Sequence, residues 1–421
     1  MKRNIGFVST RLAGTDGVSL ETQKWAAVIA RNGCNCFYMA GLLDTSVDHS
    51  FMVDEAHFAH PAIEEINRMA FSTSVRSPTL TDKICRMKDL LKVRIYEFID
   101  RFSLDLLIPE NALCIPMNIP LGMALTEVIS ETGMPTIAHH HDFFWERQRF
   151  LSNCVWDYLN MAFPPHLPFI HHVVINSSGR NQLGLRTGVA STLIPNVMNF
   201  EKPAPDIGEY NADVRQALGV ADDELLVLQP TRVVQRKGIE HAVELVSRLQ
   251  RRAKLVISHA SGDEGTDYEN RIREYSRMMN VDTVFAYDRI KDYRGTTSDG
   301  RKIYTLQDVY PHADLVTYPS TFEGFGNAYL EAVYFQKPII VNVYSIYHTD
   351  IKPKGFQAIE INGYVTEEAV QQTREILDHT QLRNEMAEYN YELALKHYSY
   401  TVLERRLRNL LSDALGVEPR S

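Results

Sequence analysis

The sequence predicts a doubly wound α/β protein built twice: two parallel sheets, helices on both faces of each, and a cleft between two domains. Short apolar runs alternate with helix-length amphipathic stretches along nearly all of the 421 residues. That alternation is the mark of βα units, whose parallel strands need right-handed crossovers. The pattern halts at Ile194-Pro195-Asn196, followed by Lys202-Pro203-Ala204-Pro205-Asp206, and restarts at Glu224. Proline removes backbone donors and favours extended neighbours, so this stretch reads as a linker.

In order, Ile5–Val8 reads as a buried strand, then a polar glycine loop and a helix from about Ser19 to Arg31. Cys34–Met39, Leu104–Ile108, Thr136–His139 and Val173–Asn176 are the next strands. The second half runs Leu225–Gln229 strand, Gly238–Gln250 helix, Lys254–His259 strand, Tyr268–Met279 helix and Val284–Tyr287 strand. Leu315–Tyr318 and Pro338–Asn342 are further strands, with a helix from about Asn327 to Phe335 between them. From about Thr366 the pattern is helical, over Glu367–Asp378, Gln381–Lys396 and Thr401–Leu415. These polar-rich helices need another surface, and a return across the domain junction supplies one. The expected domains are residues 1–195, with the last helix (399–421) packed back on them, and residues 196–398.

Composition narrows the function classes. At about 150 residues per domain the length allows two or three domains. A 44% hydrophobic content with 22 Gly and 18 Pro excludes a low-complexity chain. Acids outnumber bases 53 to 44, a net charge of −9 that argues against nonspecific nucleic-acid binding while allowing a local basic cleft. The five cysteines (Cys34, Cys36, Cys85, Cys114, Cys154) show no metal-ligand pairing and read as reduced thiols. No apolar run approaches the roughly 20 residues needed to span a bilayer. Met1-Lys2-Arg3 leads directly into a strand without a signal-like apolar region. A soluble, cytoplasmic protein is expected, with self-association left open.

In open parallel sheets, ligands bind beyond the carboxyl ends of the strands, so the loops after strands are where chemistry is sought. The loop Thr10 to Ser19 holds Gly14 and Gly17, which permit close backbone approach, ahead of a helix N-terminus suited to an anion. Taken alone, this loop fits a plain turn capped by Ser19 better than a ligand site. The stretch Gln229 to Gly238 gathers Arg232, Arg236 and Lys237 at a helix start. Cations there oppose the helix dipole, which makes sense if a diphosphate sits among them. In Pro319 to Ala332, Glu323 and Glu331 are eight residues apart, and Gly324 and Gly326 again admit a ligand. Carboxylates suit sugar hydroxyls because they accept directed hydrogen bonds.

The run Ala138-His139-His140-His141-Asp142 continues as Phe143-Phe144-Trp145-Glu146-Arg147-Gln148-Arg149. Strand geometry alternates faces, so three consecutive histidines cannot all point one way and make a poor zinc chelator. One histidine at the strand end, oriented by Asp142, is suited to contacting a substrate. No D-x-D occurs, so the usual carboxylate pair for a metal-bound diphosphate is absent.

Together these motifs resemble the retaining glycosyltransferases of family 4. Glu323-Gly324-Phe325-Gly326 with Glu331 looks like that family's E-x7-E motif and continues into Ala332 and Lys337-Pro338-Ile339-Ile340. Thr231-Arg232 with Arg236-Lys237-Gly238 is similar to its Arg/Lys diphosphate loop, and Ile194-Pro195-Asn196 to its hinge. His141-Asp142 resembles its N-domain histidine, and Tyr398-Ser399-Tyr400 its C-terminal crossover. The resemblance covers essentially the whole chain. It implies a GT-B fold of two Rossmann-like domains with an interdomain cleft, the nucleotide-sugar held mainly by the C-terminal one.

On that resemblance, Arg232 and Lys237 neutralise the donor diphosphate in place of a metal. No metal, and no cofactor beyond the nucleotide-sugar, is then expected. Glu331 binds the ribose hydroxyls. Glu323, with the backbone N–H groups of Phe325 and Gly326 and with Asn327 beside them, holds donor sugar and phosphate. Gly14 and Gly17 line the diphosphate and acceptor side, and His141 contacts the transferred sugar. The catalytic set is thus His141, Glu323, Arg232 and Lys237. The implied donor is of GDP-mannose or UDP-glucose type, and the product an α-glycoside.

The acceptor is read from Asp16, Asp142, Trp145, Arg147 and Arg149 as small, polar and anionic. Here the chain looks like soluble members that glycosylate small sugars or glyceric-acid compounds, such as a glucosylglycerate. Departures are Thr231 where the family often has Gly, Asn327-Ala328 for Leu-Pro, and Asn196-Val197-Met198-Asn199 for Asn-Gly-Val-Asp. An apparent insertion, Arg289–Tyr304, is either a surface loop or part of base recognition.

Three alternatives stand beside this reading. Lys83–Arg101, with six basic and three acidic residues among apolar ones, can be drawn as an interfacial helix of a peripheral glycolipid glycosyltransferase. Its mixed charge disfavours membrane contact. A non-hydrolysing nucleotide-sugar epimerase shares the two-domain architecture, and a silent sugar-nucleotide binding module is the non-enzyme alternative.

Overall fold

The computed structural model describes residues 3–14, 16–262 and 265–416. The chain divides into two compact units, Met1–Val197 with Tyr400–Ser421, and Met198–Ser399.

The first unit is built on seven strands: β1 (Asn4–Val8), β2 (Asn35–Ala40), β3 (Ser50–Met52), β4 (Leu106–Pro109), β5 (Thr136–His140), β6 (Ile170–Val174) and β7 (Ser191–Leu193). They lie in the order β3-β2-β1-β4-β5-β6-β7, and every pair is parallel. Helices cover both faces, so the central strands are buried on both sides and read as continuous apolar runs. The direction of winding reverses between β1 and β4, and the carboxyl ends at such a switch point are where open parallel sheets bind ligands.

The helix Gly17–Arg31 buries Trp25, Val28 and Ile29 in a cluster shared with Leu403, Leu407 and Leu410 of the terminal helix Tyr400–Leu415. The helix Pro78–Phe102 starts at Ser77, whose hydroxyl accepts from Leu80 N, and stops at Ser103 in a left-handed conformation. It buries Leu80, Ile84, Leu91, Ile95 and Phe98. Lys88 and Lys92 on the same helix pair with Glu127 and Glu131 of the helix Ile119–Thr132. Of the apolar side chains that suggested an interfacial helix, Ile84, Leu91 and Ile95 are spent inside the unit, while Leu90 is 39% exposed. Among the described residues, no helix is long and apolar enough to cross a membrane.

The second unit carries β8 (Leu225–Gln229), β9 (Ala253–Ile257), β10 (Asp282–Phe285), β11 (Ile290–Lys291), β12 (Gly295–Thr296), β13 (Lys302–Thr305), β14 (Leu315–Tyr318), β15 (Ile339–Asn342) and β16 (Ile359–Ile361). Six form a parallel sheet in the order β10-β9-β8-β14-β15-β16, with its switch point between β8 and β14. The insertion is a folded piece, not a loose loop: β11, β13 and β12 form a small sheet. It is anchored by Arg294, which pairs with Asp308 and lies over Tyr210 at 4.6 Å, and by Lys302, which pairs with Asp213.

The three-residue strands β3, β7 and β16 escape sequence reading because alternation over so few positions carries no period. All three are sheet edges.

Candidate active site

In the second unit, two strand-end loops meet at the switch point. Thr321 donates from its backbone N–H to the Arg236 carbonyl at 2.8 Å, tying the loop after β14 to the loop after β8. Where they cross, Gly238 has φ +57°, and a Cβ there would sit 2.6 Å from the Pro319 carbonyl oxygen. Only glycine fits that crossing.

The crossing sets charges against each other. Glu323, 9% exposed, forms an ion pair with the buried Lys237 and a second with Arg236 at 3.2 Å. Burial alone pushes the Glu323 carboxyl up, but Lys237 and Arg236 outweigh it and hold the group below its ordinary range. Burial, with Arg236 and Arg232 nearby, lowers the Lys237 ammonium against the pull of Glu323. The cations expected to stand unmatched at a helix start thus have an acid among them. Arg232 is exposed and acts on Lys237 electrostatically.

Gly326 (φ +129°) precedes the helix Asn327–Tyr334, and no side chain caps that helix. A Cβ at Gly326 would meet the Tyr344 hydroxyl at 2.3 Å; that hydroxyl donates to the Phe325 carbonyl at 2.7 Å. The N-terminal turn is therefore held rigidly, with its positive dipole end beside Phe325 and Gly326. Glu331 follows one turn later, Asn327 is half-buried, and the Tyr310 hydroxyl donates to Glu331 Oε2 at 3.0 Å. The two glutamates of the motif so have different partners.

One residue of this edge escaped sequence reasoning. His259 follows β9, and its Nδ1 lies 2.6 Å from Ser258 Oγ. Burial first, then Arg232 and Lys237, hold the imidazole below its usual pKa, so it is neutral beside the cations. Its signal was its position at a strand end.

In the first unit the loop after β1 is closed on itself. Asp16 caps the helix Gly17–Arg31, accepting from Val18 N at 3.1 Å and Ser19 N at 3.2 Å, and pairs with Arg11 at 3.2 Å. The Gly14 N–H donates to Asp44 at 2.9 Å. The expected open N–H groups near Gly14 and Gly17 are thus occupied by carboxylates, and the cap is Asp16, not Ser19. Thr15, within the same loop, lies outside the described residues.

The three histidines divide by strand alternation. His140 points to one face, its Nε2 2.9 Å from His172 Nδ1. His139 and His141 turn to the other, towards Glu110 just after β4: His139 Nδ1 lies 2.9 Å and His141 Nε2 3.3 Å from Glu110 Oε2. The His141 backbone N–H donates to Asn111 Oδ1 at 2.8 Å. Asp142 does not orient His141 as expected; it accepts from Asn111 at 3.1 Å and pairs with Arg147. Burial raises the Glu110 carboxyl to about 7 and lowers the imidazoles of all three histidines.

Glu110 is the second residue that sequence reasoning missed. Ligand atoms of Glu110, His139 and His141 lie within 4.8 Å of one another, a separation that suits a metal. Yet metal-bound histidines nearly always pass their other ring N–H to a partner, and among the described residues the buried His139 Nε2 has none. Trp145 stacks on Phe143 at 4.5 Å and donates from Nε1 to Gln182 at 2.9 Å. Arg147 and Arg149 are exposed, and Arg149 reaches Met117 Sδ at 2.9 Å.

The glycosyl transferases group 1 family matches residues 211–393, the region that holds the Lys237–Glu323 crossing. The mannosylglucosylglycerate synthase of Thermotoga maritima is 31% identical over 95% of this chain and 97% of its own. That of Petrotoga mobilis is 30% identical over 85% of this chain and 86% of its own. The chain belongs to the group 1 glycosyltransferases. The sucrose-phosphate synthase of Thermosynechococcus elongatus shares the fold of this glycosyltransferase at a TM-score of 0.68, with 14% identity over 99% of this chain and 100% of that one. Both units therefore carry the Rossmann-like sheets of a GT-B glycosyltransferase.

Proposed function

We propose that this glycosyltransferase moves a hexosyl group from a nucleotide-sugar of GDP-mannose or UDP-glucose type to a small polar, anionic acceptor such as a glucosylglycerate, with retention, giving an α-glycoside. The observation that carries this reading is the charge cluster at the β8/β14 switch point, where Lys237 and Arg236 pair with buried Glu323 and Arg232 acts on Lys237. Fixed cations at that edge suit a diphosphate leaving group. In a front-face route the leaving phosphate takes the acceptor's proton, and charge builds on the β-phosphate. Lys237, already held in place by Glu323, and Arg232 stabilise it, so no metal is required.

The remaining roles follow. Glu323, with the N–H groups of Phe325 and Gly326 and with Asn327, holds donor sugar and phosphate. Glu331 takes the ribose hydroxyls, and His141 touches the transferred sugar. Gly14 and Gly17 line the diphosphate and acceptor side, and Asp16, Asp142, Trp145, Arg147 and Arg149 bind the acceptor. The near full-length similarity to two mannosylglucosylglycerate synthases supports the acceptor class.

A thermal-shift panel of GDP-, UDP- and ADP-sugars without metal tests the donor reading, because a ligand that binds the native state raises Tm by mass action. One nucleotide class should stand out, and no shift with any of them would contradict it.

A further inference from the structure

At the carboxyl ends of β4 and β5, His141 is joined by Glu110 and His139, which the roles above leave unused. Glu110 is 0% exposed, and among the described residues its ion-pair partners are His139 and His141. One oxygen, Oε2, serves both rings, at 2.9 Å from His139 Nδ1 and 3.3 Å from His141 Nε2. An ionised carboxylate only accepts, so both nitrogens donate. His139 is then the Nδ1–H tautomer, held flat against Trp25 with ring centres 4.1 Å apart. His141 is the Nε2–H tautomer, and its lone pair sits on Nδ1. Of the three side chains, His141 alone reaches the surface, at 10% exposure. Its backbone is pinned as well, through Asn111.

We propose that Glu110 is a positioning residue, holding the His141 imidazole in the Nε2–H tautomer so that Nδ1 is presented as an acceptor for a hydroxyl of the bound sugar. This rests on the reading in which His141 touches the transferred sugar. A fixed acceptor demands a hydroxyl, because a sugar lacking it leaves a desolvated nitrogen unpaired. Protonation of Glu110 withdraws the negative charge that fixes the ring, and burial raises its carboxyl to about 7. The groups facing it are Glu21 and Thr22 from the helix Gly17–Arg31, His139, and His141 with Asp142 beside it. Glu21 is itself tied to Lys24 at 3.0 Å.

The test reads the tautomer directly, by long-range proton–nitrogen couplings in full-length protein labelled with 15N-histidine, His141 being assigned by loss of its signals in His141→Gln. Wild type at pH 8 should show the proton on Nε2 and a bare Nδ1. Glu110→Ala should lose that preference and lower kcat roughly 10–100-fold, the loss seen when groups orienting a functional histidine are removed. Its KM for the nucleotide-sugar should change less than about threefold. Glu110→Gln keeps an oxygen acceptor and should recover most of kcat while erasing the acidic limb near pH 7. A proton on Nδ1 in wild type, Glu110→Gln losing as much as Glu110→Ala with the pH limb intact, or a stoichiometric metal that a chelator removes would each overturn the proposal. If Glu110→Ala does not fold, the wild-type tautomer still decides. The tautomer measurement uses no sugar, so failure of the sugar-transfer reading and failure of Glu110 as the positioning group are told apart.

Discussion

Lys237 and Glu323, 86 residues apart in sequence, form a buried ion pair where the loops after β8 and β14 cross. Removing one partner of a buried pair strands the other charge and costs about 3 kcal/mol or more. Lys237→Met should therefore lower the urea midpoint as well as abolish nucleotide binding, while Lys237→Met with Glu323→Leu should recover stability but not binding. Equal stability of wild type and Lys237→Met would show that Arg236 alone satisfies the carboxylate.

Acid should weaken the first unit in a defined window. His139, His140, His141 and His172 have imidazole pKa values pushed down by burial, those of His139 and His172 to about 4. Unfolded histidines titrate at about 6.5. A group with a depressed folded pKa binds fewer protons when folded, so stability falls as pH drops from about 6.5 towards about 4. Glu110, raised to about 7, and Glu146, raised by burial, oppose this, while His57, lowered by burial, adds to it. The denaturation midpoint should fall between pH 7 and pH 5; a flat or rising midpoint contradicts the buried neutral assignment.

The terminal helix is a structural part of the first unit. Leu407, 1% exposed, lies in the cluster that contains Trp25 and Ile29. Leu407→Ala should cost about 2–5 kcal/mol in chemical denaturation, as large-to-small core changes do. A cost below about 1 kcal/mol would mean the site collapses freely or the helix is loosely held.

Legibility followed sequence locality. Arg232, Lys237 and Glu323 stood out as candidates because each lies in a glycine-bearing loop just beyond a strand, and Glu331 because it follows Glu323 by eight residues in the helix Asn327–Tyr334. Glu110 did not, because the predicted strand stops at Ile108 and Glu110-Asn111 reads as an ordinary polar turn. Its meaning comes from parallel pairing of β4 with β5, which brings it to histidines 29 and 31 residues away. Asp16 is the reverse case: its carboxylate has local work as a cap, which the sequence alone does not separate from ligand binding. Trp145 likewise offers an aromatic face in sequence that Phe143 covers in the fold.

The acceptor side makes its own prediction. Arg147→Ala or Arg149→Ala should raise the acceptor KM several-fold more than the donor KM, a loss confined to one substrate's binding. Arg147 has the larger expected effect, since its removal also frees Asp142, its ion-pair partner. Steady-state kinetics with each substrate varied separately decides this, and unchanged acceptor kinetics in both variants would sink the assignment.

The most direct test is to incubate the protein with GDP-α-mannose or UDP-α-glucose and a glucosylglycerate in the presence of a chelator, and to read the product by NMR. The account predicts release of the nucleoside diphosphate, formation of an α-glycoside, and loss of both in Lys237→Ala. A β-linked product, hydrolysis or epimerisation of the donor without transfer, or full activity in Lys237→Ala would contradict it.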